Sequence, residues 1–288
     1  MAELNVGAHV SLHGNPASAV EETRNQGFRS MQIFASSPGA WRPPIVDPPV
    51  FAAFVEARRG LGVDPLFIHA IYLINLASAD ESLYHRSISS LIRTLEAGRM
   101  MEARGVITHI GSHAGNGFET VADRIAGGLT EILNRAPGGI DLILENSAGA
   151  GGLVGASLDE LATLIKLTGR PDRLKIALDT AHLTGAGWDF RAEGGADRLV
   201  DEIEAKVGLD RLAVIHANDS AQPVGSRKDR HANIGEGHVG EEGFRNLVAQ
   251  PALRAVPWIL ETPGLEERER DQHRLQEMAA GRELIHGA

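Results

Sequence analysis

Ile176-Ala-Leu-Asp-Thr-Ala-His182 reads as a buried strand that runs straight into a short polar turn. Lys175 to Leu178 is mostly apolar, Asp179 falls where the strand should end, and His182 follows three residues later. A carboxylate and an imidazole at that spacing reach one small volume, for one metal ion or for two neighbouring ions. Taken alone the pair says little, because Asp and His three apart are common. Its weight comes from repetition, since the chain places a His, Asp or Glu at the end of one apolar strand after another.

Eight strand-like runs span the sequence: Asn5–Ser11, Ser30–Ala35, Pro65–Ala70, Gly105–Gly111, Asp141–Asn146, Leu174–Asp179, Leu212–Asn218 and Pro257–Thr262. Helical periodicity fills the intervals: Pro16–Gln26, Pro49–Arg59, Ser82–Ala103, Thr120–Ala136, Ser157–Thr168, Gly194–Val207 and Gly243–Gln250, with a highly charged last helix over Leu265–His286. Val-, Ile- and Leu-rich strands that alternate with helices indicate parallel βαβ units. Eight such units in 288 residues predict an α/β fold, a closed (β/α)8 TIM barrel, as one domain over residues 1–288. The Pro-rich stretch Pro38–Pro49 reads as a long loop after the second strand.

Composition narrows the chemistry. The 43% hydrophobic and 23% charged residues are those of a globular protein, and no apolar run approaches the roughly 20 residues of a membrane span. Met1-Ala-Glu-Leu-Asn-Val-Gly7 leads into a strand without a signal-peptide pattern, so a cytoplasmic protein without membrane contact is expected. With no cysteine, a metal site must draw on His, Asp and Glu, which suits Zn, Mn, Fe or Co. The net charge of −10 argues against a nucleic-acid partner held mainly by charge, although three divalent cations would bring it to about −4. No apolar helix face stands out, and a monomer is expected.

In such a barrel the chemistry lies at the C-terminal ends of the strands. Strand three ends at His69, four at His109, five at Glu145, six at Asp179, seven at His216 and eight at Glu261, and the loops add His182, Asp229 and His231. A lone His at a strand end is usually structural. Four carboxylates at one rim are another matter, because they repel one another without cations. Nine donors exceed the needs of one tetrahedral zinc and suit two or three ions, with Glu145 in position to bridge. Clustered ions of this kind activate water, polarise phosphoryl oxygens and neutralise a leaving oxygen.

The motifs at these positions resemble the endonuclease IV family of apurinic/apyrimidinic DNA-repair endonucleases over nearly the whole chain. They are Gly7-Ala-His-Val-Ser11, His69-Ala-Ile-Tyr-Leu-Ile-Asn-Leu76, Gly111-Ser-His113, Glu145-Asn-Ser-Ala-Gly149, Leu178-Asp-Thr-Ala-His182 and His216-Ala-Asn-Asp-Ser220. The most specific block is Ser226-Arg-Lys-Asp-Arg-His231 with Ile234-Gly-Glu-Gly237, and Ile259-Leu-Glu-Thr-Pro263 closes the series. The resemblance implies a barrel with three divalent ions, usually zinc. His69 and His109 would hold one ion, and Glu145 would bridge to a second completed by Asp179, His216 and Glu261. His182, Asp229 and His231 would hold the third. Glu145 and Glu261 would be the carboxylates on which catalysis depends. The implied reaction cuts double-stranded DNA 5′ to an abasic site and leaves a 3′-hydroxyl and a 5′ deoxyribose phosphate.

The same resemblance places Tyr72 and Leu73 in a loop that wedges into the duplex, against simple packing on the barrel rim, and keeps Arg42 as a DNA contact; Arg227 and Arg230 lie around Asp229, within reach of backbone phosphates or as part of a solvated basic loop. His9 and His113 are candidates for orienting ligands or for packing. Two departures stand out. The loop Ser36-Ser-Pro-Gly-Ala-Trp-Arg42 lacks the Asn and Arg that the family carries before its Trp, and His109-Ile-Gly-Ser-His113 lacks a proline after its first histidine. The rival reading is a xylose-isomerase-like sugar isomerase or epimerase, which could use Glu145, Asp179, His216 and Glu261. It has no use for His182, Asp229 and His231, so that trio discriminates. A lesion-binding protein would keep the wedge and lose ligands, the reverse of this sequence, and a phosphatase of small phosphoesters fits the ligands alone.

Overall fold

A computed structural model describes residues 3–12, 15–264 and 266–282. Eight parallel strands close into a barrel in chain order: β1 (Val6–His9), β2 (Ser30–Phe34), β3 (Leu66–His69), β4 (Gly105–Thr108), β5 (Asp141–Glu145), β6 (Leu174–Asp179), β7 (Leu212–His216) and a last strand, Trp258–Leu260, which pairs back onto β1. Each is shorter than its sequence pattern or equal to it, because the ladder stops where the chain turns outward into its loop.

Strand alternation builds the site. A separate apolar cluster fills the barrel interior and includes Phe67, Ile107, Ile143, Ala177, Val214 and Ile259. Each of these precedes by two residues His69, His109, Glu145, Asp179, His216 or Glu261. With a side-chain period of two, the six polar residues form the next layer along the same inward direction. The pairing register supports this, with Asp179 opposite His216. On β1 the inward position below His9 is Gly7, where a Cβ would collide with the Ser30 carbonyl, so glycine lets β1 and β2 approach.

The helices form the outer ring. They are α1 (Pro16–Asn25), α2 (Pro48–Leu61), α3 (Glu81–Met100), α4 (Ala122–Arg135), α5 (Leu158–Leu167), α6 (Thr180–Ala186), α7 (Gly195–Lys206), α8 (Gly240–Ala249), α9 (Pro251–Arg254) and α10 (Glu267–Ala279). Side-chain oxygens of Asn15, Asp47, Asp80 and Ser157 accept backbone N–H bonds at the starts of α1, α2, α3 and α5. Their apolar faces bury Phe54, Leu91, Leu95, Leu129, Leu161 and Phe244 against the outside of the barrel. No helix among the described residues is long and apolar enough to cross a membrane.

Three features depart from the sequence pattern. The turn after Asp179 is a seven-residue helix, α6, because the Asp179 carboxylate caps it by accepting the His182 N–H at 2.9 Å. Asp219–Ser220 pairs antiparallel with His231–Ala232 across an irregular loop, a contact that strand or helix periodicity does not reveal. The last helix occupies Glu267–Ala279 of the expected Leu265–His286, of which Leu265 and residues 283–286 lie outside the described residues.

Candidate metal centre

The nine donors converge on one rim, and eight of them fall into three groups. His69, His109 and Glu145 form one; Glu145, Asp179, His216 and Glu261 a second; Asp179, His182 and His231 a third. The ligand atoms within each group lie within 4.8 Å of one another. Asp229 joins the third group through carboxylate contacts of 3.2 Å to His182 Nε2 and 3.2 Å to His231 Nε2. Sharing differs from the sequence reading in one respect. Asp179 belongs to two groups, as Glu145 does, whereas the sequence assigns the bridging role to Glu145 alone.

Hydrogen bonds fix which ring nitrogen three of the histidines present. His69 Nδ1 donates to the Ala70 carbonyl at 2.7 Å and leaves Nε2 3.1 Å from Glu145 Oε2. His182 Nδ1 donates to the Asn146 carbonyl at 2.9 Å, so Nε2 faces Asp229. His216 is turned the other way. Its Nε2 bonds Gln32 Oε1 at 2.8 Å, and Nδ1 lies 3.0 Å from Glu145 Oε1. Such outer bonds hold imidazoles ready to ligate.

Two amides organise the carboxylates. Gln32 Nε2 donates to Glu261 Oε1 at 2.6 Å while its Oε1 holds His216. Asn218 Nδ2 donates to Asp179 Oδ2 at 2.6 Å, and Asn218 Oδ1 accepts the Glu261 N–H at 3.0 Å. Neither amide stands out in the sequence as a site residue. Each has a signal there: Gln32 lies two residues after the inward position Ser30, and Asn218 two after His216. His9 also belongs here, 3.3 Å from Glu261. His113 does not. It accepts the Gly117 N–H at 3.0 Å and shapes the loop after β4.

The loop that brings His231 to the rim is anchored from behind. The buried Asp219 carboxylate accepts N–H bonds from Ser220, Gly235, Gly237, Val239 and Gly240. A Cβ at Gly237 would collide with the Ser220 carbonyl, which accounts for a glycine in Ile234-Gly-Glu-Gly237. Asp271 adds a bond to the Ile234 N–H at 3.2 Å.

The electrostatics ask for positive charge. Burial lowers the His216 pKa, but Glu261 and Glu145 outweigh it and raise the imidazole to about 9. Burial likewise opposes Asp179 at His231, and the carboxylate wins, also to about 9. His182 is held well above its ordinary value by Asp179 and Asp229 against its burial. Glu145 and Glu261 lie well below the ordinary carboxylate range: burial pushes them up, and the surrounding imidazoles, His109 and His216 foremost, pull them down further. Protons on the imidazoles thus balance four carboxylates, a role that divalent ions would take over with release of those protons. His231 Nε2 is buried with no hydrogen bond of its own, since its contacts with Asp229 and Asp179 lack hydrogen-bond geometry. The donor set and this orphaned nitrogen both fit bound cations.

Around the centre, Tyr72 is 58% exposed and its ring packs edge-on against Phe34 and His69. Partial burial, then the charges of Glu261, Glu145 and Asp229, push its hydroxyl up to about 12, so it stays neutral. Leu73 is half-buried and packs onto the core. The Tyr72 N–H donates to the Pro38 carbonyl at 3.0 Å and ties the loops after β2 and β3 together. Arg42, Arg227 and Arg230 are exposed, and Arg230 donates to the Asp229 carbonyl at 2.6 Å.

Residues 20–284 match the family model of xylose isomerase-like TIM barrels. A probable endonuclease 4 of Carboxydothermus hydrogenoformans is 37% identical over 266 residues, 92% of this chain and 93% of that protein. One from Chloroflexus aurantiacus is 36% identical over 283 residues and 98% of both chains. Among solved structures, endonuclease IV from Thermus thermophilus superposes with a TM-score of 0.83 at 34% identity, covering 96% of this chain and 99% of that one. A D-tagatose 3-epimerase-like protein reaches a TM-score of 0.72 at 20% identity, covering 95% of this chain and 97% of that one, a likeness of fold alone.

Proposed function

The chain belongs to the endonuclease IV family within the xylose isomerase-like TIM barrels, and from that membership we propose that it is a metal-dependent DNA-repair endonuclease. It hydrolyses the phosphodiester 5′ to an abasic site in duplex DNA and leaves a 3′-hydroxyl and a 5′ deoxyribose phosphate. Its complement is three divalent ions, with zinc the best match to nitrogen and oxygen donors in a chain without cysteine. His69, His109 and Glu145 would hold one, Glu145, Asp179, His216 and Glu261 the second, and Asp179, His182, Asp229 and His231 the third. We infer a single barrel domain that works as a cytoplasmic monomer.

The observation that carries the reading is the third donor group. A sugar isomerase or epimerase on this barrel needs one or two ions and leaves His182, Asp229 and His231 without a task. When bound, the ions supply nucleophile activation and charge stabilisation at the phosphorus. The chain's own residues do the rest. Gln32 and Asn218 hold Glu261 and Asp179 in place before substrate arrives, so little reorganisation accompanies the reaction. The neutral Tyr72 ring stands above His69 and His109, where it can fill the space of a missing base. Arg227 and Arg230 flank Asp229 and contact backbone phosphates.

The test is incubation with a duplex that carries one abasic site, followed by extension of the nicked strand with a polymerase. Extension from the cut shows a 3′-hydroxyl; a blocked end means a different reaction. Tyr72→Ala is expected to weaken binding to abasic duplex about tenfold and to intact duplex about twofold, in line with roughly 1–3 kcal/mol for aromatic stacking on a base. Equal weakening of both would remove the wedge role.

A further inference from the structure

A groove of about 520 Å3 lies away from the metal centre, lined by Trp41, Arg42, Arg86, Ser89, Ser90 and Arg93 together with Pro43. Arg86, Ser89, Ser90 and Arg93 are spaced i, i+3, i+4 and i+7 and form one stripe on α3. Arg86 and Arg93 are therefore about 10 Å apart along the helix axis. The guanidinium of Arg86 sits 5.4 Å from the centroid of the Trp41 ring, which limits its motion. Several arginines elsewhere are matched to carboxylates, as in Arg58 with Asp64, Arg59 with Glu102 and Arg124 with Glu81, and others, such as Arg173 and Arg211, to backbone carbonyls. Among the described residues, no carboxylate lines this groove.

Three arginines and two hydroxyls facing one groove form an acceptor for anionic oxygens. In a chain of net charge −10 such a concentration works against the overall charge and marks a local polyanion site. Its position selects the polyanion. Helices of a (β/α)8 barrel start at the catalytic face and run back along the outside, so the stripe descends the outer wall from that face. Its upper end is the loop of Trp41, which the Pro38 carbonyl ties to Tyr72. We propose that this groove is a second DNA-backbone site, which holds phosphates of the duplex arm flanking the lesion through Arg86, Arg93 and Arg42. The inference rests on the endonuclease reading and extends its substrate footprint beyond the rim.

The test is fluorescence-anisotropy binding of metal-loaded wild type and the double variant Arg86→Ala/Arg93→Ala. The probes are abasic duplexes of about 11 and about 30 base pairs, titrated between about 50 and 200 mM salt. The variant should bind the long duplex about tenfold more weakly, with the slope of log K against log salt reduced by about 2, one per phosphate contact. The short duplex should bind the two proteins alike, and Arg86→Lys/Arg93→Lys should restore the slope. An unchanged slope on the long duplex overturns the proposal. So does equal loss on both lengths, which would mean that the arginines act at the rim or bind free phosphate. Cutting of the same duplex by wild type reports the underlying reading separately: no cut sinks that reading, whereas a cut with an unaltered slope sinks only the groove.

Discussion

Glu261→Gln is expected to slow single-turnover nicking at an abasic site by on the order of 10³-fold, about 4 kcal/mol of barrier. The substitution is nearly isosteric; it removes the charge and turns one acceptor oxygen into an NH2 donor. Glu261 follows the last strand directly, accepts bonds from Gln32 Nε2 and Asn218 Nδ2, and lies 3.4 Å from His216. An amide can preserve part of this network but cannot hold a cation or balance one. Since the residue is only partly buried and the barrel core is untouched, the melting midpoint of the variant should stay within a few degrees of wild type. Binding to abasic duplex should persist within a few-fold, because the wedge and the arginines are intact. Rapid-quench nicking beside an anisotropy titration separates the two quantities. Near wild-type cleavage by this variant would remove Glu261 from the reaction.

A larger effect is expected from Asp179→Asn, because Asp179 is the carboxylate shared by the second and third donor groups. One oxygen caps α6 through the His182 N–H, and the other accepts from Asn218. The amide can keep the cap, but its NH2 would then oppose the Asn218 NH2, and Asn218 could not hold both Asp179 and the Glu261 N–H. Two ion sites therefore lose charge and geometry together. Metal analysis should find about one ion per chain where wild type holds about three, and nicking should fall further than in Glu261→Gln. Retention of three ions would contradict the sharing of Asp179 between groups.

The barrel and the layer of polar side chains at its rim were legible in the sequence for the same reason. Each strand is a short apolar run that ends on a polar side chain, and a period of two aligns Phe67 with His69, Ile143 with Glu145 and Ile259 with Glu261. Gln32 escaped because it lies within Ser30-Met-Gln-Ile-Phe34 and an amide is no typical ligand, although its spacing from Ser30 matches the other strands. The helix after Asp179 escaped because Thr180–Ala186 is too short for periodicity to show, and one cap decides it. The ladder between Ser220 and His231, the clasp of Asp219 on the 235–240 loop, and the meeting of Trp41 with α3 are contacts across the chain. They depend on how irregular segments fold back and pack, which neither helical nor strand periodicity encodes.

The central claim, that a multinuclear centre cuts the DNA backbone at abasic sites, is tested most directly on one purified sample. Bound metal is counted, and the same protein is incubated without added magnesium on a duplex with a single abasic site. The account predicts about three divalent ions per chain, a cut on the 5′ side of the lesion, and loss of both on prolonged chelation. One or two ions with no cut, accompanied by turnover of a ketose or aldose, would contradict it and would leave His182, Asp229 and His231 without a metal role.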